Sequence, residues 1–89
     1  MSDAPTSAEL LADVGRVLYG DNWQSPLAEA MGVSLRFMQR VAQAVREGND
    51  YRINPGVLDE AAALVRERNA EGVAVLERIA AHLARQSVA

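Results

Sequence analysis

The chain has 89 residues, 49% of them apolar and only 4% aromatic, with 9 basic residues against 12 acidic ones and a formal net charge of −3. That length allows one domain with a modest core, and the absence of cysteine excludes a disulfide frame and a thiolate metal site. The longest strictly apolar run, Ala61–Val65, is far too short to cross a bilayer, and no basic segment followed by an apolar run opens the chain, so the expectation is a cytoplasmic protein.

Ala, Leu and Val supply most of the apolar content, the mix of a helical protein. The expected fold is all-α. It comprises a compact helix-turn-helix bundle of three N-terminal helices with a short connector or small wing over residues 1–53. A long C-terminal helix over 54–89 completes the core and supplies a surface for pairing. Met1–Pro5 is expected to be disordered. Thr6-Ser7-Ala8-Glu9 fits a capping box, in which hydroxyl and carboxylate satisfy each other's helix-end amides. A first helix follows from about Ser7 to Tyr19, with Leu10, Val14, Val17 and Leu18 as its apolar stripe, Leu11 beside it and Gly20 as C-cap. Asn22 is the expected N-cap of the second helix. Trp23 is expected to anchor that helix on the first rather than stack on a base. Pro26 falls in its first turn, where a missing amide is tolerated.

The stretch Gln24–Gln43 has the spacing of a helix-turn-helix, two short helices meeting at a sharp turn. The turn is Met31-Gly32-Val33-Ser34: Gly32 can take a positive φ, and Ser34 is a good N-cap. Ala28, four residues before the glycine, stands where the helices cross and only a small side chain fits. Leu27, Met31, Val33, Met38 and Val41 fall where such a unit needs apolar residues. The helix from Leu35 to about Glu47 carries two opposed stripes. Met38, Val41, Ala42 and Val45 make an apolar face. Arg36, Gln39, Arg40 and Gln43 have the same spacing on the opposite side. Arg and Gln are the side chains that bond bidentately to guanine and adenine edges, so this helix reads as a recognition helix. The alternative is an amphipathic bundle helix whose outer face happens to be Arg and Gln.

Gly48-Asn49-Asp50 signals a turn. Tyr51-Arg52-Ile53 is then either a small wing, from which Tyr51 and Arg52 reach phosphates, or a connector with Tyr51 and Ile53 tucked into the core. Asn54-Pro55 starts the last helix, with Asn as N-cap and Pro at the first helical position, and the helix runs to about Arg85. Leu58, Ala62, Val65, Asn69, Gly72, Leu76, Ile79 and Leu83 alternate steps of four and three, a heptad seam. Leu58, Ala62 and Val65 serve the core; Leu76, Ile79 and Leu83 lie beyond it and are the expected homodimer contacts. Asn69 and Gly72 interrupt the seam, which leaves open a break there with the second half folding back on its own subunit.

No Gly-rich phosphate loop, His/Cys cluster or nucleophile–base pair is present, and the lone histidine, His82, sits near a helix end. Neither an enzyme, a cofactor nor a metal is expected. The charge is unevenly spread. Residues 1–33 carry −4, residues 34–53 carry +2 from Arg36, Arg40, Arg46 and Arg52 against Glu47 and Asp50, and residues 54–89 carry −1. Every basic residue is Arg. That suits bidentate contacts to bases and phosphates, though a G+C-rich genome would favour Arg as well.

Trp23–Gln43, with Gly32-Val33-Ser34 and with Arg36 and Arg40 in the following helix, resembles the small helix-turn-helix regulators of bacteria and their phages. The run Leu18-Tyr19-Gly20-Asp21-Asn22-Trp23-Gln24-Ser25 followed by Leu27-Ala28 looks like short phage-type regulators of this kind. The resemblance covers about residues 7–57. It implies a homodimeric transcriptional repressor on a palindromic double-stranded DNA operator. Base contacts would come from Arg36, Gln39, Arg40 and Gln43, and backbone contacts from Ser34 and Leu35. Arg46, Arg52 and Tyr51 flank them toward phosphates. Phe37 departs from the pattern, where a small or polar residue is usual; it either touches a thymine methyl or packs onto the second helix or the wing. Two other classes fit the same residues: a small-terminase-like DNA-packaging oligomer, and a protein-binding adaptor of the antitoxin or anti-CRISPR type.

Overall fold

A computed structural model describes residues 5–87. Its elements are α1 (Ser7–Tyr19), a 3₁₀ turn (Gly20–Asn22), α2 (Gln24–Met31), α3 (Leu35–Glu47) and α4 (Pro55–Ser87). No strand occurs among the described residues. The fold is all-α with a long C-terminal helix. The disorder expected for Met1–Pro5 concerns a segment whose first four residues lie outside the described residues.

Local chemistry sets the helix ends. The Thr6 hydroxyl accepts the Glu9 N–H at 3.1 Å and starts α1. The Asn54 side chain accepts the Gly56 N–H at 2.8 Å ahead of Pro55, which starts α4. Gly48, in the left-handed region at φ 69°, ends α3 while Asn49 N–H reaches back to the Ala44 carbonyl at 2.9 Å. The start of α2 departs from expectation. Asn22 lies in the 3₁₀ turn, and Trp23 is the N-cap without any side-chain cap bond. The chain can forgo the cap because Trp23 is only 3% exposed and packing holds it in place.

Trp23 seats on α1, but not on the predicted stripe. The buried residues of α1 are Ala8, Leu11, Ala12 and Gly15. Leu10 and Val17 are exposed, and Val14 and Leu18 are half-buried. Both stripes have helical period, and the larger side chains suggested the wrong one. The core takes the face that carries Gly15 because the indole fills the space beside it: a methyl group at Gly15 would stand 2.5 Å from the Trp23 ring. Leu27 and Ala28 of α2, Met38 and Val41 of α3, Ile53 of the connector and Ala61 of α4 complete the same core.

The segment 49–54 is a connector, with Ile53 buried and Tyr51 half-buried. α4 passes Asn69 and Gly72 without a break, so its second half does not fold back. Its core-facing residues are rotated slightly from the predicted set: Ala61 is fully buried, Val57, Leu58 and Leu64 pack beside it, and Ala62 and Val65 are half-buried. From Arg66 to Gln86 every residue is exposed. At 33 residues and a rise of about 1.5 Å per residue, α4 is far longer than the bundle it leaves. No described helix is long and apolar enough to cross a membrane.

Gly15→Ala tests the Trp23 seat. In an ordinary helix interior that change stabilises by about 0.5–1 kcal/mol. Here the added methyl meets the indole ring, and overpacking should reverse the sign, lowering stability by about 1–3 kcal/mol. Chemical denaturation followed by Trp23 fluorescence measures it; a gain in stability would show that the indole has room to move.

Candidate nucleic-acid interface

α3 is presented by a tight turn. Gly32 takes φ 68°, ψ 29°, a conformation that costs a residue with a Cβ about 1 kcal/mol or more. Its N–H and that of Val33 return to the last carbonyls of α2, Val33 to Ala28 at 3.0 Å. The Ser34 hydroxyl then accepts the Phe37 N–H at 3.1 Å and opens α3. Ala28 is buried where α2 meets α3.

The two stripes of α3 part cleanly. Met38, Val41 and Ala42 are buried and Val45 is half-buried. Arg36, Gln39, Arg40 and Gln43 are all exposed, as are Ser34, Leu35, Arg46 and Arg52. Among the described residues no carboxylate pairs with Arg36, Arg40, Arg46 or Arg52; the one ion pair is Arg16 with Asp13. Arg36 stands in the first turn of α3, which holds no acidic residue. A cation there opposes the helix dipole by about 0.3–1 kcal/mol. Arg40 follows one turn later, a like charge at a destabilising spacing. The stripe therefore holds two uncompensated cations, whose repulsion an external anion would relieve.

Gln43 is engaged differently. Its amide donates to Glu47 Oε2 at 2.9 Å, and Glu47 Oε1 accepts from Asn49 at 3.0 Å. The C-terminal end of the stripe is thus closed by an acid. Phe37 packs against Tyr51, ring centroids 6.2 Å apart and tilted by 50°. Of its two predicted placements it takes the packed one, against the connector. Tyr51, drawn into that contact, offers less to a ligand than the exposed Arg52.

Sequence reading passed over Gln24 and Ser25. With Asp21, Asn22, Leu35 and Gln39 they line a shallow cleft beside the start of α3. Their signal was weak, since only folding brings the start of α2 beside α3. Leu76, Ile79 and Leu83 lie far along α4, exposed to 66%, 49% and 57%. No group of three or more His, Asp or Glu among the described residues is placed to hold a metal. No protein-family model matches the chain, and no curated protein or solved structure shows significant similarity to it.

The presentation of α3 rests on its cap. Ser34→Ala should lower stability by about 1 kcal/mol, and Ser34→Asp should restore it, since a carboxylate accepts the same N–H and favours the helix dipole. Urea midpoints of the three proteins test this; equal midpoints for the parent and the Ala variant would mean that packing alone sets the start of α3.

Proposed function

We propose that the chain binds double-stranded DNA in a sequence-specific way and acts as a homodimeric transcriptional repressor, with α3 in the major groove. The observation that carries this reading is the exposed stripe of Arg36, Gln39 and Arg40, without side-chain partners among the described residues, opposite a face that is buried in the core. A helix fixed by one face and bearing unpaired Arg on the other is built to meet an anionic surface with readable edges. Gln43 joins the readers when DNA competes for its amide. Ser34 and Leu35 lie at the groove edge. Arg46 and Arg52 meet phosphates, with a lesser part for Tyr51. The overall negative charge keeps non-specific affinity low, so affinity depends on this local cluster.

One such unit reads only a few base pairs, too few to single out an operator among the competing sites of a genome. Two copies related by a twofold axis read a palindrome with half-sites about 34 Å apart or a multiple of that. Leu76, Ile79 and Leu83 supply the contacts between copies.

The test is selection of binding sites from random double-stranded DNA, followed by gel shift on the enriched sequence. Arg36→Ala or Arg40→Ala should each cost about 1–3 kcal/mol of discrimination, a loss of roughly ten- to a hundredfold in affinity for that sequence, with the thermal midpoint little changed. Parent-like binding by both variants would remove α3 as the reader, and no enrichment at all would end the DNA reading. Arg46→Gln and Arg52→Gln should instead weaken binding to all sequences alike and reduce the salt slope by about one. A changed sequence preference at constant slope would make these arginines readers rather than anchors.

A further inference from the structure

We infer that the outer half of α4 pairs antiparallel with the same segment of a second copy, and that the end of the partner's helix seats in a notch between α4 and α1. This rests on the homodimer proposed above and not on DNA binding.

α4 carries one apolar face twice. Eighteen residues make five turns of an α-helix, so residues eighteen apart lie on one line along it. Val57, Leu58, Ala61 and Val65 recur in this way as Val75, Leu76, Ile79 and Leu83. The inner set packs against the bundle, Ala61 fully buried. The outer set faces water, and Val73 beside it is 54% exposed. No Asp, Glu or Arg stands on this face between Gly72 and Leu83; Glu77, Arg78 and Arg85 fall on the other sides of the helix, and Glu71 borders the face beside Val75.

The same geometry fixes the direction of the partner. A helix laid parallel along the outer set would continue toward residues 57–65 on the same side, into the space that α1 fills. An antiparallel helix ends where the bundle begins. With the twofold axis at Leu76, midway along the exposed segment, Leu83 of one copy lies opposite Asn69 of the other, and Ala80 opposite Gly72. Gly72 is open, with nothing within 4 Å of where its Cβ would be, so the two backbones can approach there. That gives a reason for a glycine in a helix interior, where it costs about 1 kcal/mol relative to Ala.

The arriving helix end also finds a seat. Val17 and Leu18 of α1 form a notch with Arg68, Asn69, Gly72 and Val75, bordered by Glu71. Val17 is 74% exposed, and it belongs to the α1 stripe that the core does not use. Arg68, on the rim of the notch, is held by Tyr19, donating to its hydroxyl at 3.2 Å with the guanidinium 5.5 Å from the ring centroid. Val17, Val75, Leu76, Ile79 and Leu83 each bring on the order of 100 Å². Over two copies that is roughly 1,000 Å², the area at which a specific interface begins.

The chain has no cysteine, so single-cysteine variants report the pairing directly. A mixture of Asn69→Cys and Leu83→Cys, oxidised gently, should give a disulfide-linked dimer, while neither variant should link to itself. Self-linking of Asn69→Cys would establish parallel pairing and overturn the inference while leaving the homodimer standing. A monomeric parent in sedimentation at micromolar concentration would overturn both. Val17→Asp should raise the dimer Kd by tenfold or more with an unchanged helical circular dichroism spectrum. An unchanged Kd would remove the notch from the interface. No DNA enters these measurements, so the reading of α3 stands or falls separately.

Discussion

The contact of Trp23 with Gly15 is the constraint on which the rest of the bundle depends. The Trp23 ring comes so close to α1 at position 15 that a Cβ there would meet it at 2.5 Å. α1 therefore turns Ala8, Leu11, Ala12 and Gly15 inward and leaves Leu10 and Val17 at the surface. Trp23 is also the residue from which α2 starts, so the same contact that orients α1 fixes the origin of α2. The turn at Gly32 then transmits that position to α3 through short backbone bonds to the end of α2. The direction in which Arg36 and Arg40 point is thus set by packing more than a helix away, and the arginines contribute nothing to their own placement.

This division of labour has an electrostatic side. Within α3, stability comes from the buried Met38 and Val41 and from caps at both ends, while the exposed stripe is mildly unfavourable to the helix that bears it. Two arginines without carboxylates, one of them at the positive end of the helix dipole, are tolerated because burial of a single core side chain is worth about 1.5–3 kcal/mol, more than their repulsion. Glu47 closes the stripe at its far end by holding Gln43, and it limits the cationic surface to about two turns.

Much of this was legible in the sequence. The boundaries of α1 and α3, the left-handed glycine at position 32 and the Ser34 cap follow from short-range rules in which one or two residue types suffice. The choice between two apolar stripes on α1 was not legible, because periodicity counts aliphatic residues and cannot show that Trp23 would claim the glycine face. The start of α2 was missed for a related reason: Asn22 has the chemistry of a cap, but a buried Trp23 makes one unnecessary. On α4 the heptad pattern identified an apolar side and placed its inner centre slightly off, since which turn of α4 meets the bundle is decided by packing and not by the pattern. Gln24 and Ser25 carried only a weak signal, as their position beside α3 exists only after folding.

The unbroken course of α4 through Asn69 and Gly72 makes the helix a ruler. From Ala61, in the core, to Leu76 is fifteen residues, about 22 Å. In the antiparallel pair the two bundles would be held about 45 Å apart along the helix axes. Because the spacer is a helix, its length and its phase are tied together: one residue more or fewer shifts a bundle by about 1.5 Å and also rotates it by about 100°. Whole-turn changes in length would alter the span between the two α3 helices while nearly keeping their facing, whereas half-turn changes would turn one of them away. In the proposed DNA-bound dimer the register of α4 would thereby govern which spacing of half-sites both copies can occupy together.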